Sequence, residues 1–258
     1  MDSATTEQPS HGSLEKGISG QYNFDIPAIF REAWQKTRGI KATYWKAIII
    51  FLVITLLILA VRFGFDFLAV IIYNTLGLPK PQIHALIATQ HDLLGLITIF
   101  ITAPLGVGLL MIGIRHCANL PVTAKSLVSY YPYWRKLWVR QFILVVITSI
   151  SQLHLIPYIL PIILFFLSIY VIVSYLMFEP LIVEKQLSVW DALETSRKTI
   201  AHHWFKTLWF LFLFILITLG SVLTLGIAFI WTLPWLNNAT GILYREMFGV
   251  QTLAETPH

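Results

Sequence analysis

The chain has 258 residues, 57% of them hydrophobic and 12% charged, with a mean hydropathy of +0.73. Charged residues make up about a quarter of soluble domains, so this composition excludes a soluble globular protein and predicts an integral membrane protein. The net charge of +5 does not point to nucleic acid, because the cations lie in short segments beside apolar runs, where they set orientation.

Residues 1–23, rich in Ser, Thr, Gln and Gly, read as a mobile polar tail that lacks the apolar region and cleavage site of a signal peptide. Residues 25–37 then gather Ile26, Ile29, Phe30, Ala33 and Trp34 on one helical face. The first crossing is predicted at about 44–66 and carries Arg62 and Asp66 one turn apart, where they could pair near the outer boundary. Arg62 lies about 24 Å from Lys46 along a helix, close enough to that boundary to snorkel. Residues 67–92 either rest on the bilayer or extend the first helix, with a turn at Leu78-Pro79-Lys80-Pro81. The second crossing is predicted at 93–114, where Gly106, Gly108 and Gly113 suit close helix packing. Cys117, the single cysteine, excludes an intramolecular disulfide and a Cys-based zinc site. In the basic segment 115–140, Leu127, Tyr131, Trp134 and Trp138 form another apolar face, interrupted at Pro132.

Residues 141–178 and 207–244 contain no Asp, Glu, Lys or Arg. Each run is too long for one crossing of roughly 20 residues and suits two. The crossings are predicted at 137–155 and 158–179, hinged between His154 and Pro161, and at 206–220 and 222–244, hinged at Leu219-Gly220-Ser221. Residues 251–258 are a C-terminal tail. Between the two runs lies EPLIVEKQLSVWDALETSRK, residues 179–198. Placing Asp191, Glu194, Arg197 and Lys198 in the bilayer would cost about 3 kcal/mol each, and Val189, Trp190, Leu193 and Ile200 return only about 0.5 each. The segment therefore stays outside as an interfacial helix. Val189, Leu193, Ser196, Ile200 and Trp204 share one face, Ser188 and Asp191 form its N-terminal cap, and Pro180 ends the preceding span at Glu179.

The predicted fold class is an all-α polytopic membrane protein with six transmembrane helices as three hairpins, each preceded by a cytoplasmic amphipathic helix. Sixteen of the eighteen Lys and Arg residues fall on one side of this arrangement, which puts both termini in the cytoplasm. Residues 24–250 make up the transmembrane domain, and surface helix plus hairpin reads as a unit repeated three times.

Phe178-Glu-Pro-Leu-Ile-Val-Glu184, Ser188-Val-Trp-Asp-Ala-Leu193, Ser196-Arg197 and Trp204, with the ending Pro234, Ala239 and Tyr244-Arg-Glu-Met-Phe-Gly249, carry a family resemblance. They resemble the membrane domain of bacterial glycerophosphodiester phosphodiesterases and related uncharacterised six-span inner-membrane proteins. The resemblance covers about residues 24–250 and implies a six-helix fold in the bacterial inner membrane. The catalytic barrel of those phosphodiesterases has no counterpart here, so their hydrolysis is not implied.

No phosphate-binding Gly-rich loop, HExxH or Gly-x-Ser-x-Gly motif is present. His202 and His203 are adjacent and point about 100° apart on a helix, which suits surface residues better than a shared metal. Neither enzyme activity, cofactor nor metal is expected. The candidate polar groups are Arg62, Asp66, Tyr175, Glu179, Glu184, Arg197, Asn237 and Asn238, and the interfacial helix presents Trp190, Leu193, Ile200 and Trp204. Pro104, Pro161 and Pro234 fall within crossings and free backbone carbonyls there. The expected role is a non-enzymatic inner-membrane interaction or accessory protein connected with lipid or envelope homeostasis. Its expected partners are anionic headgroups at the cytoplasmic face and a protein partner or a second copy of the chain. The alternative is a transporter or transporter subunit with a site near the kinked helices.

Overall fold

The computed structural model describes residues 12–77, 79–151 and 159–250. Among them the chain is helical, without a strand. The helices are α1 (Leu14–Ser19), α2 (Ile26–Thr75), α3 (Lys80–Cys117), α4 (Trp134–Ser151), α5 (Ile159–Ser174), α6 (Phe178–Glu184), α7 (Val189–His202), α8 (Trp204–Leu223) and α9 (Phe229–Phe248), with two 3-10 turns, Ala124–Leu127 and Tyr131–Tyr133, ahead of α4. Four stretches among the described residues are long and apolar enough to cross a membrane: Ile26–Thr75, Leu94–Cys117, Ile162–Glu184 and Trp204–Leu223. This is a membrane protein by that criterion. The expected crossings at 137–155 and 222–244 correspond to α4 and α9, which are not among the four.

Helix α2 starts where Asp25 accepts a hydrogen bond from the Ala28 amide at 3.1 Å, with Pro27 in the first turn. No proline or cap follows until the Leu76-Gly77 turn, where Gly77 takes a positive φ of 67°. The amphipathic segment 25–37 and the first crossing are therefore one continuous helix of 50 residues, about 75 Å long. This corrects the expectation of a separate surface helix there. It also decides between the two readings of 67–92: the segment extends α2 to Thr75, and α3 begins at Lys80. The face expected on Leu127, Tyr131, Trp134 and Trp138 is likewise not one helix, because the 3-10 turns interrupt it and Pro132 lies in the second. Of the three expected surface helices only α7 stands alone. The three units of the expected repeat thus differ in local structure.

The main core joins the first half of α2, the last turns of α3, and α6, α7, α8 and α9. Helix α9 lies at its centre, with Leu236, Asn238, Ala239, Gly241, Ile242, Leu243, Tyr244, Met247 and Phe248 all buried. It runs antiparallel to the start of α2: the Trp45 indole donates to the Ile230 carbonyl at 3.1 Å, Trp235 donates to the Phe30 carbonyl at 2.8 Å, and Arg245 reaches Glu32. A second cluster, around Ile40, Tyr44, Ala47, Ile48, Leu105, Ile112 and Leu127, continues the α2–α3 contact. Beyond it α2 presents bare apolar side chains, with Phe63 73% and Leu57 62% exposed, as befits a helix solvated by lipid.

Three turns differ from expectation. The last hairpin reverses at 224–228, where Leu225 and Gly226 take positive φ, and not at Leu219-Gly220-Ser221. Ser221 sits inside α8, hydrogen-bonded to the Ile217 carbonyl and 2.8 Å from the Thr232 hydroxyl, so it ties the hairpin together. The span before residue 179 breaks at 175–177, and Glu179 and Pro180 lie in the first turn of α6, where proline's missing N–H has no helical partner to lose. The expected polar tail is, from residue 12 onward, a packed strap: Ser13 caps α1, and Tyr22 and Phe24 are buried in the main core. The expected hinge at 154–161 falls mostly outside the described residues.

Candidate functional site

Helix α7 forms as its sequence dictates. The Ser188 hydroxyl accepts a hydrogen bond from the Asp191 amide at 3.2 Å and donates to the Asp191 carboxylate at 2.6 Å. Its buried face is Ala192, Thr195, Ser196, Thr199 and Ile200, flanked by half-buried Val189 and Leu193. Small and β-branched residues there let the helix lie close to its neighbours, and the Ser196 hydroxyl donates to the Ser174 carbonyl at 2.9 Å. The face expected to meet the bilayer is thus consumed by the protein core, Trp204 included. Trp190, expected with them, turns outward and is 75% exposed. Arg197 holds Glu194 with two hydrogen bonds of 2.9 and 3.0 Å, and Lys198 joins at 3.3 Å. These bonds keep the Glu194 carboxyl below its ordinary pKa.

The end of α7 anchors the N-terminal strap. The Tyr22 hydroxyl donates to the Thr199 carbonyl at 2.7 Å. Nε2 of His202 and of His203 lie 3.0 and 3.1 Å from the carbonyl oxygens of Ile18 and Tyr22, which they reach as donors. Lys206 donates to the Asn23 side chain at 2.8 Å. The adjacent histidines thus use their divergent directions to grip two points of one strap.

At the same end, Arg245 of α9 makes a fork onto Glu32 of α2, both bonds 2.8 Å, while Nη2 reaches Glu246 at 2.8 Å and Nη1 the Cys117 carbonyl at 3.2 Å. Burial alone would lower the Arg245 pKa, but the two carboxylates hold it above its ordinary value. The wholly buried Tyr244 donates to Glu184 at 2.6 Å, and Lys185 lies 3.3 Å from the same carboxylate oxygen. Glu179 is buried on α6. Glu184 therefore joins a polar cluster with Tyr244 that sequence reading did not assemble. Arg245 and Glu32 were missed outright, because 213 positions separate them and each reads locally as an ordinary surface charge.

The asparagines of α9 face other helices. Asn237 donates to the Leu109 carbonyl of α3 at 2.8 Å, and Asn238 is fully buried, reaching the Ala33 carbonyl at 3.5 Å while its own backbone carbonyl accepts from Cys117. A Cβ on Gly241 would come within 2.8 Å of the Gly113 carbonyl group, so α3 and α9 touch backbone to backbone. Tyr175 lies elsewhere, in the turn between α5 and α6, half-buried against the main core and the small Leu164 and Val171 cluster. At the two asparagines α3 and α9 are thus closely packed. The carbonyls freed by the in-helix prolines are also taken. Pro104 frees that of Phe100, which accepts the Trp138 indole at 3.3 Å, and Pro234 frees that of Ile230, which accepts Trp45. Pro161 falls in the first turn of α5.

Arg62 and Asp66 lie one turn apart on the exposed half of α2. Arg62 borders a cleft of about 500 Å³ between α2 and α3, lined otherwise by Leu57, Ile58, Val61, Phe65, Leu94, Ile97, Thr98 and Ile101. Its guanidinium faces Gly95, whose missing Cβ would stand 3.8 Å from Nη1. Among the described residues no three His, Cys, Asp or Glu side chains are grouped to hold a metal ion. Neither a family model, a curated protein nor a solved structure matches this chain.

Proposed function

We propose that this chain is a non-enzymatic, multi-pass protein of the bacterial inner membrane that acts as an interaction or accessory module connected with lipid or envelope homeostasis. In this reading six segments cross, both termini are cytoplasmic, and the end bearing α7 faces the cytoplasmic leaflet. One observation carries it. Arg245 at that end is spent on Glu32 and Glu246 and both histidines on the strap, whereas large aromatic side chains point outward. Trp34, Trp190, Phe205 and Trp209 are exposed there, and on α7 nearby Arg197 and Lys198 are paired with Glu194. Such a rim suits the zone of anionic headgroups or a membrane partner.

The test compares wild type with a Trp190→Ser, Phe205→Ser variant, purified from native membranes with co-isolated lipids and proteins identified by mass spectrometry. Membrane insertion and thermal stability stay unchanged and the co-isolated set is depleted. An identical set would overturn the proposal. The alternative, a transporter or transporter subunit, finds less support, because the carbonyls freed at Pro104 and Pro234 and the Asn237 amide are bonded within the protein.

A further inference from the structure

The cleft between α2 and α3 lies within the apolar surface that the protein turns to lipid, with Leu57, Val61, Phe65, Ile97 and Ile101 exposed around it. A cation in that setting is costly unless it finds an anion or reaches water. Among the described residues Arg62 has no hydrogen-bond acceptor or ion-pair partner, although it stands at the wall of a recess of about 500 Å³, within the usual range for ligand sites. Gly95 of α3 lies beside the guanidinium, a Cβ there standing 3.8 Å from Nη1. A guanidinium offers two parallel donors that match a phosphate. The rest of the wall offers almost only hydrocarbon, and the one hydroxyl there, Thr98, already donates to the Leu94 carbonyl at 2.8 Å.

We infer that this cleft binds one anionic phospholipid, its phosphate on Arg62 and an acyl chain along Leu57, Ile58, Val61, Ile97 and Ile101. Charge complementarity names the head and the apolar wall names the tail. Free phosphate fits only the first, and a zwitterionic lipid brings its own cation beside the phosphate, which competes with Arg62. The inference rests on membrane embedding and not on the accessory role proposed above.

The test uses the full-length protein in detergent with added phosphatidylglycerol or phosphatidylcholine, counting retained lipids by native mass spectrometry. Wild type retains one phosphatidylglycerol in preference, Arg62→Gln lowers that preference about tenfold, the equivalent of one charge-assisted hydrogen bond, and excess inorganic phosphate does not displace the lipid. In parallel, wild type is photolabelled with phosphatidylglycerol carrying a diazirine in its acyl chain, and the label falls on residues 57–65 and 94–101. Undiminished preference in Arg62→Gln, displacement by phosphate, or label confined to other segments would each overturn the inference. The photolabelling needs no substitution, so it decides the matter even if Arg62→Gln does not fold.

Discussion

Arg245 shows how a single side chain holds distant parts of this protein together. Its guanidinium bridges the start of α2, the end of α3 and its own helix, and its side chain is only 11% exposed. Removing it leaves Glu32 and Glu246 facing each other beside buried apolar groups. We expect Arg245→Gln to cost about 2 kcal/mol, toward the low end for charge-assisted bonds because both carboxylates remain about one-third exposed and water screens them. Adding Glu32→Gln to that variant should recover part of the loss, and thermal unfolding in detergent measures both. Additive losses would show that the two residues act independently. This site was not legible in the sequence, since a long-range ion pair leaves no local pattern. The α7 cap was legible, because Ser188 and Asp191 are three residues apart and the bond is made within one turn.

At the scale of the elements, the two prolines inside α3 and α9 show the clearest division of labour. A proline interrupts the helical ladder and leaves a carbonyl that lipid cannot satisfy. In both helices a tryptophan from another element supplies the missing N–H. Trp45 and Trp138 therefore each complete the backbone bonding of a neighbouring helix. Trp45→Phe should orphan the Ile230 carbonyl and destabilise the protein by about 1–2 kcal/mol, whereas in a Pro234→Ala background, where the alanine restores the backbone N–H, the same change should cost much less. Equal costs in the two backgrounds, measured by thermal unfolding, would rule out this pairing. Hydropathy revealed that carbonyls were freed at Pro104 and Pro234, but not which indole met them. It also separated 25–37 from the first crossing, because a change in composition looks like a boundary even when nothing in the backbone stops the helix.

The whole molecule has a densely packed end and a lipid-exposed hairpin. Apolar runs made the membrane character and helical class readable, and the crowding of α9 into the core was hidden because a buried helix and a spanning helix share the same composition. The N-terminal strap was hidden for the opposite reason: its polar composition resembles a free tail, yet Tyr22 and Phe24 are buried and four hydrogen bonds fix its course. Deleting residues 2–23 should lower the unfolding temperature in detergent by about 10 °C, given the loss of a buried tyrosine and several hydrogen bonds. An unaltered transition would show that the strap is dispensable.

That strap also sets a timetable for biogenesis. Tyr22 leaves the ribosome early, but its acceptor at Thr199 is 177 residues behind it. At elongation rates of about 5–20 residues per second, roughly 9–35 s pass before the two can meet. Through that interval Tyr22 lacks the acceptor that it holds in the finished fold. Its docking is among the last steps in completing the fold.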